Sequence, residues 1–169
     1  MATPLQGTYP AYFEKYINLA EAENTQELID KYSEPVWKFF KNIPNKKTTY
    51  RYAEDKWSLK ELLQHIIDTE RIFAYRALTI ARQDTNALPG FDENAYAAVC
   101  HADNRTWKSL LKEFKAVRKS TNMLINSFTD EQLQQSGTTN GNPNTTVAIS
   151  FVIFGHILHH INIINERYL

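Results

Sequence analysis

Three of the five histidines, His156, His159 and His160, fall within one short stretch near the C-terminal end of the sequence. At about 100° per residue, a helix carrying them sets His156 and His160 about 40° apart on one face and His159 about 60° to the other side. Two imidazoles so placed can share one divalent metal ion. A third from a facing helix would complete three protein ligands and leave positions open for water, the pattern of a catalytic rather than a structural zinc site. His65 is the candidate, since it is the one other histidine inside a long helical pattern. The competing reading is packing alone, each ring donating to a carbonyl or to water. Two features favour the metal: the stretch is nearly devoid of charge, where unpartnered imidazoles are costly, and no cysteine competes as a ligand.

Around this set stand residues with secondary roles. His159 diverges from the pair and is expected at a helix contact or behind the ligands, and His101 on the surface. Asp68, three residues after His65, either orients a ligand imidazole or is an ordinary helix-surface carboxylate, the second being the default. Arg71, Arg76 and Arg167 are the candidates for gripping an anionic substrate. Other chemistries find little support: there is no GxSxG elbow and no Gly-rich phosphate loop, and Cys100 is too close to His101 in sequence to form a dyad with it. No residue is assigned as catalytic.

Helical elements must position these groups. Apolar residues recur at spacings of three and four from about Thr25 to Asn42, with Asn24 or Thr25 as cap and Pro35 as an expected kink or true start. Ser58 and Glu61 form a capping box that opens a helix running to about Arg82. A third helix is expected from about Arg105 to Ser127, with Asn104 as its cap. A short one follows from Thr129, ended by Gly137. The last, about Thr146 to Tyr168, is apolar over most of its circumference and must be buried. Four long helices predict an all-α four-helix bundle, whose ligand sites lie between facing helices. The stretch from Leu88 to Glu93 is either a lid over one end or a plain connection.

Composition bounds the partners. A length of 169 residues, with 43% hydrophobic and 22% charged, fits one globular domain over 1–169 with a core from about 24 to 169. Nineteen Lys and Arg balance nineteen Asp and Glu without a basic cluster, so no nucleic-acid partner is expected. The lone Cys100 forbids an intramolecular disulfide and suits a reducing compartment, the cytoplasm. Histidines interrupt the most apolar window, and neither a membrane span nor a signal peptide is expected.

The run from Lys56 to Arg71, which contains Trp57-Ser58-Leu59 and Gln64-His65-Ile66, the loop Leu88-Pro89-Gly90-Phe91-Asp92, and the ending Gly155-His156-Ile157-Leu158-His159-His160-Ile161-Asn162 together resemble the DinB family, in the wider DinB/YfiT-like group of metalloenzymes. The resemblance spans about Asn24 to Leu169. It implies an up-and-down bundle of four long helices with a metal, zinc or nickel, on three histidines matching His65, His156 and His160. It also implies a small-molecule substrate, with a low-molecular-weight thiol as co-substrate in some relatives, and a homodimer by analogy. The reading is a metal-dependent S-transferase or hydrolase. Its alternative is a non-catalytic bundle that binds a metal or small molecule for structure, sensing or dimer assembly.

Overall fold

The computed structural model describes residues 3–169. Besides three short 3-10 helices at Ala11–Phe13, Asn45–Lys47 and Ala102–Asn104, the described chain has seven α-helices and one β-hairpin: α1 (Glu14–Ile17), α2 (Thr25–Lys41), α3 (Leu59–Ala81), α4 (Glu93–Val99), α5 (Trp107–Asn126), α6 (Asp130–Gln134), β1 (Ser136–Thr139), β2 (Asn142–Thr145) and α7 (Thr146–Arg167). The four long helices α2, α3, α5 and α7 form the expected bundle, with α3 packed on α5 and α7, and α2 packed on the same two.

Local chemistry sets the helix starts. In α3 the capping box is complete: the Glu61 amide donates to Ser58 Oγ (3.1 Å) and the Ser58 amide to Glu61 Oε2 (2.8 Å). Asn24 caps α2 through the Glu27 amide. Pro35 does not mark the true start of α2, because the helix runs through it to Lys41. Lys31, whose carbonyl loses its intrahelical donor, is exposed together with Pro35, so that carbonyl can turn to water while Leu28, Ile29, Val36 and Phe40 stay buried. The cap of α5 is Thr106 rather than Asn104, its hydroxyl accepting from the Ser109 amide. The helix from Thr129 stops at Gln134, before Gly137, because Gln135 turns extended and its carbonyl accepts from Thr146.

Gly137 instead belongs to β1. Asn140 and Gly141, at φ 50° and 71°, form the two-residue turn between β1 and β2, both in the left-handed region that a type I′ turn demands. α7 is long and apolar enough to cross a membrane, but 72% of its apolar window is buried within the bundle. It is the core helix.

Side-chain contacts fix the helix directions. Phe40 meets Phe114 edge to face while Ser33 accepts from Asn122, so α2 and α5 run antiparallel. His65 meets His160 while Phe73 meets His156, so α3 and α7 are antiparallel too. Gln64 accepts from Arg105 and Glu70 pairs with Arg118, so α3 and α5 run the same way, and the bundle departs in this from the up-and-down order that the resemblance implied. Residues 82–106 therefore travel back along the bundle before α5 can begin. This return carries α4 and the Leu88–Phe91 loop over one face of α3.

The Glu70–Arg118 pair sits deep between α3 and α5, with the two side chains 1% and 7% exposed. Burial pushes Glu70 up and Arg118 down from their ordinary pKa values, against the attraction of the partner. Glu70 Oε1 and Arg118 Nε and Nη1 have no hydrogen-bond partner. Such a pair costs nearly as much desolvation as it returns in attraction, whereas either charge alone is far worse. Arg118→Met is expected to lower the unfolding free energy by about 3–5 kcal/mol in urea titrations. Adding Glu70→Leu to it should restore most of that loss. A double variant as unstable as the single one would contradict this account.

Candidate metal centre

Where α3 faces α7, the histidines of the two helices meet. His65 Nε2 lies 3.2 Å from His156 Nε2, and His160 Nε2 lies 3.0 Å from the same atom. All three candidate donor atoms fall within 4.8 Å of one another. A neutral imidazole has one N–H and one lone pair. His156 Nε2 faces two other ring nitrogens, and with either one N–H or one lone pair it can make a good hydrogen bond with only one of them, so the other contact is left unsatisfied. His160 Nδ1 is buried without a partner as well. Nitrogens 3.0 and 3.2 Å apart match donors each about 2.0–2.1 Å from one shared cation. The donor set therefore fits a divalent metal ion.

Electrostatics keep the rings in the binding form. Burial lowers His65 from the ordinary 6.5 to about 4. Burial also holds His156 and His160 well below the usual value, reinforced by repulsion from the neighbouring histidines and Lys15. All three are neutral at pH 7, as ligation requires.

Neighbouring elements hold the rings in place. Thr69, one turn after His65, sets its hydroxyl 3.5 Å from His65 Nδ1, and the Trp57 ring lies 4.8 Å from the His65 ring. Tyr16 of α1 presents edges to His156 and His159 at 5.6 and 5.4 Å. Gly155 makes that approach possible, since a Cβ there would stand 1.9 Å from the Tyr16 carbonyl oxygen. The three histidines line a cavity of about 340 Å³ that opens to solvent, with Tyr12, Phe13, Phe73 and Phe91 among its other walls.

The sequence matches the DinB superfamily over residues 30–164. The chain belongs to that superfamily. Among solved structures it is similar to YfiT from Bacillus subtilis, described as "a probable metal-dependent hydrolase with an unusual four-helix bundle topology". That match has a TM-score of 0.71 at 16% identity and covers 98% of this chain and 90% of that one. No curated protein matches.

Within this DinB bundle the other sequence candidates separate. His159 packs against Tyr16 and the edge of His160, at the helix contact expected of it. His101 is exposed. Asp68 accepts from Gln64 and lies 3.6 Å from Arg71, on the side of α3 that meets α5, so Thr69 rather than Asp68 adjoins the His65 ring. Arg71 pairs with Glu113, and Arg167 with Glu166. Of the three arginines only Arg76 lines the cavity. The Leu88–Phe91 loop does fold over the cavity, but it is pinned: the Leu88 amide donates to the Thr138 carbonyl (3.0 Å) and the Asn140 amide to the Leu88 carbonyl (2.8 Å). It forms a fixed wall. Trp57, Thr69 and Gly155 were readable only as neighbours of the histidines at helical spacing or as the cap-flanking residue, and nothing in the sequence separated them from core.

The lowered pKa values set the acid limit of the metal-free protein. Unfolded histidines protonate near 6.5 while the folded rings stay neutral to about 4 in the case of His65, so within that window the unfolded chain binds more protons. Stability is then full above about pH 6.5 and falls as pH drops toward 4, by up to about 1.4 kcal/mol per pH unit for each ring involved. Urea midpoints of chelator-treated protein from pH 7.5 to 4.5 should show this fall, and it should shrink in His65→Gln. A flat profile would refute neutral buried rings.

Proposed function

We propose that this member of the DinB superfamily is a metal-dependent enzyme acting on a small molecule, with one divalent ion, zinc or nickel, held by His65, His156 and His160. The observation that carries this reading is the convergence of three neutral imidazoles on the wall of an open cavity. Three protein donors with a free side are the arrangement of a catalytic site, whereas structural zinc sites close with four. The description of YfiT as metal-dependent points the same way.

When bound, such an ion supplies Lewis acidity that makes a water or thiol nucleophile available near neutral pH. The protein's own part is to hold three neutral Nε2 atoms in place, with the ring of His65 steadied by Thr69 and Trp57. Aromatic walls restrict water around the reacting groups, which strengthens every electrostatic contact there. Water as the nucleophile gives hydrolysis; a low-molecular-weight thiol gives transfer to an electrophile. Cys100 is bonded to the Ala97 carbonyl away from the cavity, so the thiol must come from outside the chain. A cytoplasmic location, where such thiols are reduced, and a homodimer belong to the same proposal.

Protein produced without an affinity tag is expected to carry stoichiometric zinc or nickel by elemental analysis. His65→Ala, His156→Ala and His160→Ala should each lose it while keeping the helical circular dichroism of the parent. No uptake at any supplied ion concentration sinks the metal, and global unfolding on its removal would make it structural. Metal-dependent consumption of a thiol with a generic electrophile identifies transfer; thiol-independent turnover of an ester panel identifies hydrolysis. Neither would leave the non-catalytic bundle.

A further inference from the structure

Arg76 is 4% exposed, and among the described residues it makes no ion pair. One of its five N–H groups is accounted for, Nη2 donating to the Pro89 carbonyl at 2.8 Å. The guanidinium lies over the rings of Phe73 and Phe91, 5.3 and 5.9 Å from their centroids. Those contacts use no N–H group, so the remaining donors are left for a partner. No carboxylate offsets the burial that lowers its pKa; only Tyr12 acts in the other direction. A buried cation without a counter-ion is costly, so its place on the cavity wall calls for an explanation.

The cavity supplies one. Arg76 is the only Lys or Arg on its lining, and it shares that lining with all three histidines. Eleven residues after His65 on α3, it lies about 20° round the helix and about 16 Å along it, and its side chain tilts toward the N-terminal end, toward the histidines. The wall that holds it is the pinned loop, whose Pro89 carbonyl accepts one N–H and whose Phe91 ring lies beside the guanidinium. This is a rigid, planar fork facing into a pocket of small-molecule size, the geometry that recognises a planar bidentate anion.

We infer that Arg76 is the anchor of an anion subsite and that the substrate of this cavity carries a carboxylate at the end remote from its reacting group. A monoanion suits the site better than a phosphate dianion, for a single cation lines it and Glu93 stands on the same lining with the opposite charge. The aromatic residues between the two ends suit an apolar or aromatic spacer. This assignment rests on the proposed reaction at the histidines, but its test does not need turnover.

The probes are 3-phenylpropanoate and its uncharged amide, 3-phenylpropanamide, titrated by calorimetry into metal-loaded and chelator-treated protein. The acid is expected to bind about 10- to 100-fold more tightly than the amide, the worth of a charge-assisted hydrogen bond, in both forms. Arg76→Met should abolish that preference, and Arg76→Lys, which keeps the charge but not the fork, should retain only part of it; circular dichroism confirms that each is folded. Equal binding of acid and amide, no binding of the acid, or a preference that survives in Arg76→Met overturns the subsite. So does a preference lost on chelation alone, which would place the carboxylate at the histidines. Absence of stoichiometric metal with the Arg76-dependent preference intact would overturn the metal reading and leave this one standing.

Discussion

Three imidazole nitrogens held nose to nose on the wall of a cavity are a problem that the rest of the molecule is organised around. Nε2 atoms at 3.0 and 3.2 Å, with the rings kept neutral by burial, repel one another unless a cation or a proton lies between them. The fold must hold that arrangement against its own tendency to spring apart. It does so by mounting the rings on two long helices whose remaining faces are locked into the core. His156 and His160 stand on a helix buried continuously from Thr146 to Ile157, and His65 stands on one flanked by the buried Leu62, Leu63, Ile66 and Ile67. Rotation of either helix would expose apolar side chains, so the orientation of the rings is coupled to the stability of the bundle.

The direction of α5 has an equally large effect. Because α5 runs parallel to α3, the chain must return along the bundle between them, and that return covers the site. The Leu88–Phe91 loop would be a loose flap if it merely spanned a gap. Its backbone pairing with the β1–β2 hairpin, a single bridge between Leu88 and Thr139, ties it down instead. Hairpin, loop and α1 therefore build the cavity walls, while the helices build its floor.

Much of the floor was legible in the sequence and little of the walls. The i, i+4 spacing of His156 and His160 needs only helical geometry, and the capping box at Ser58 places His65 in phase on its helix. Both are local signals, which is why they could be read. The meeting of the two segments rested on the uniform apolar character of the last helix. Helix direction depends on how a long connection routes itself, which leaves no periodic trace, and so the parallel pairing of α3 and α5 was not foreseen. The Asn140-Gly141 hairpin did leave a signal, but four-residue strands between polar residues lack the alternation that marks a buried sheet. Among Arg71, Arg76 and Arg167 the sequence could not choose, because each lies on a helix near some histidine and only tertiary partners distinguish them. Asp68 shows the same limit: its spacing from His65 is compatible with contact, and α5 rather than the spacing decides where it points.

One feature of α7 reaches beyond the site. The helix carries two of the three histidines and also packs against α1, α2 and α3, so chemistry and core share the same residues. Where a site stands on loops, a lesion can silence it and leave a sound scaffold for the cell to tolerate. Here a substitution along most of this helix loosens the scaffold as well, and a chain so loosened spends more time in forms that chaperones hold and proteases clear. The abundance of the protein then reports on the same segment that carries the histidines, and inherited variation in that segment is filtered by turnover in the cell.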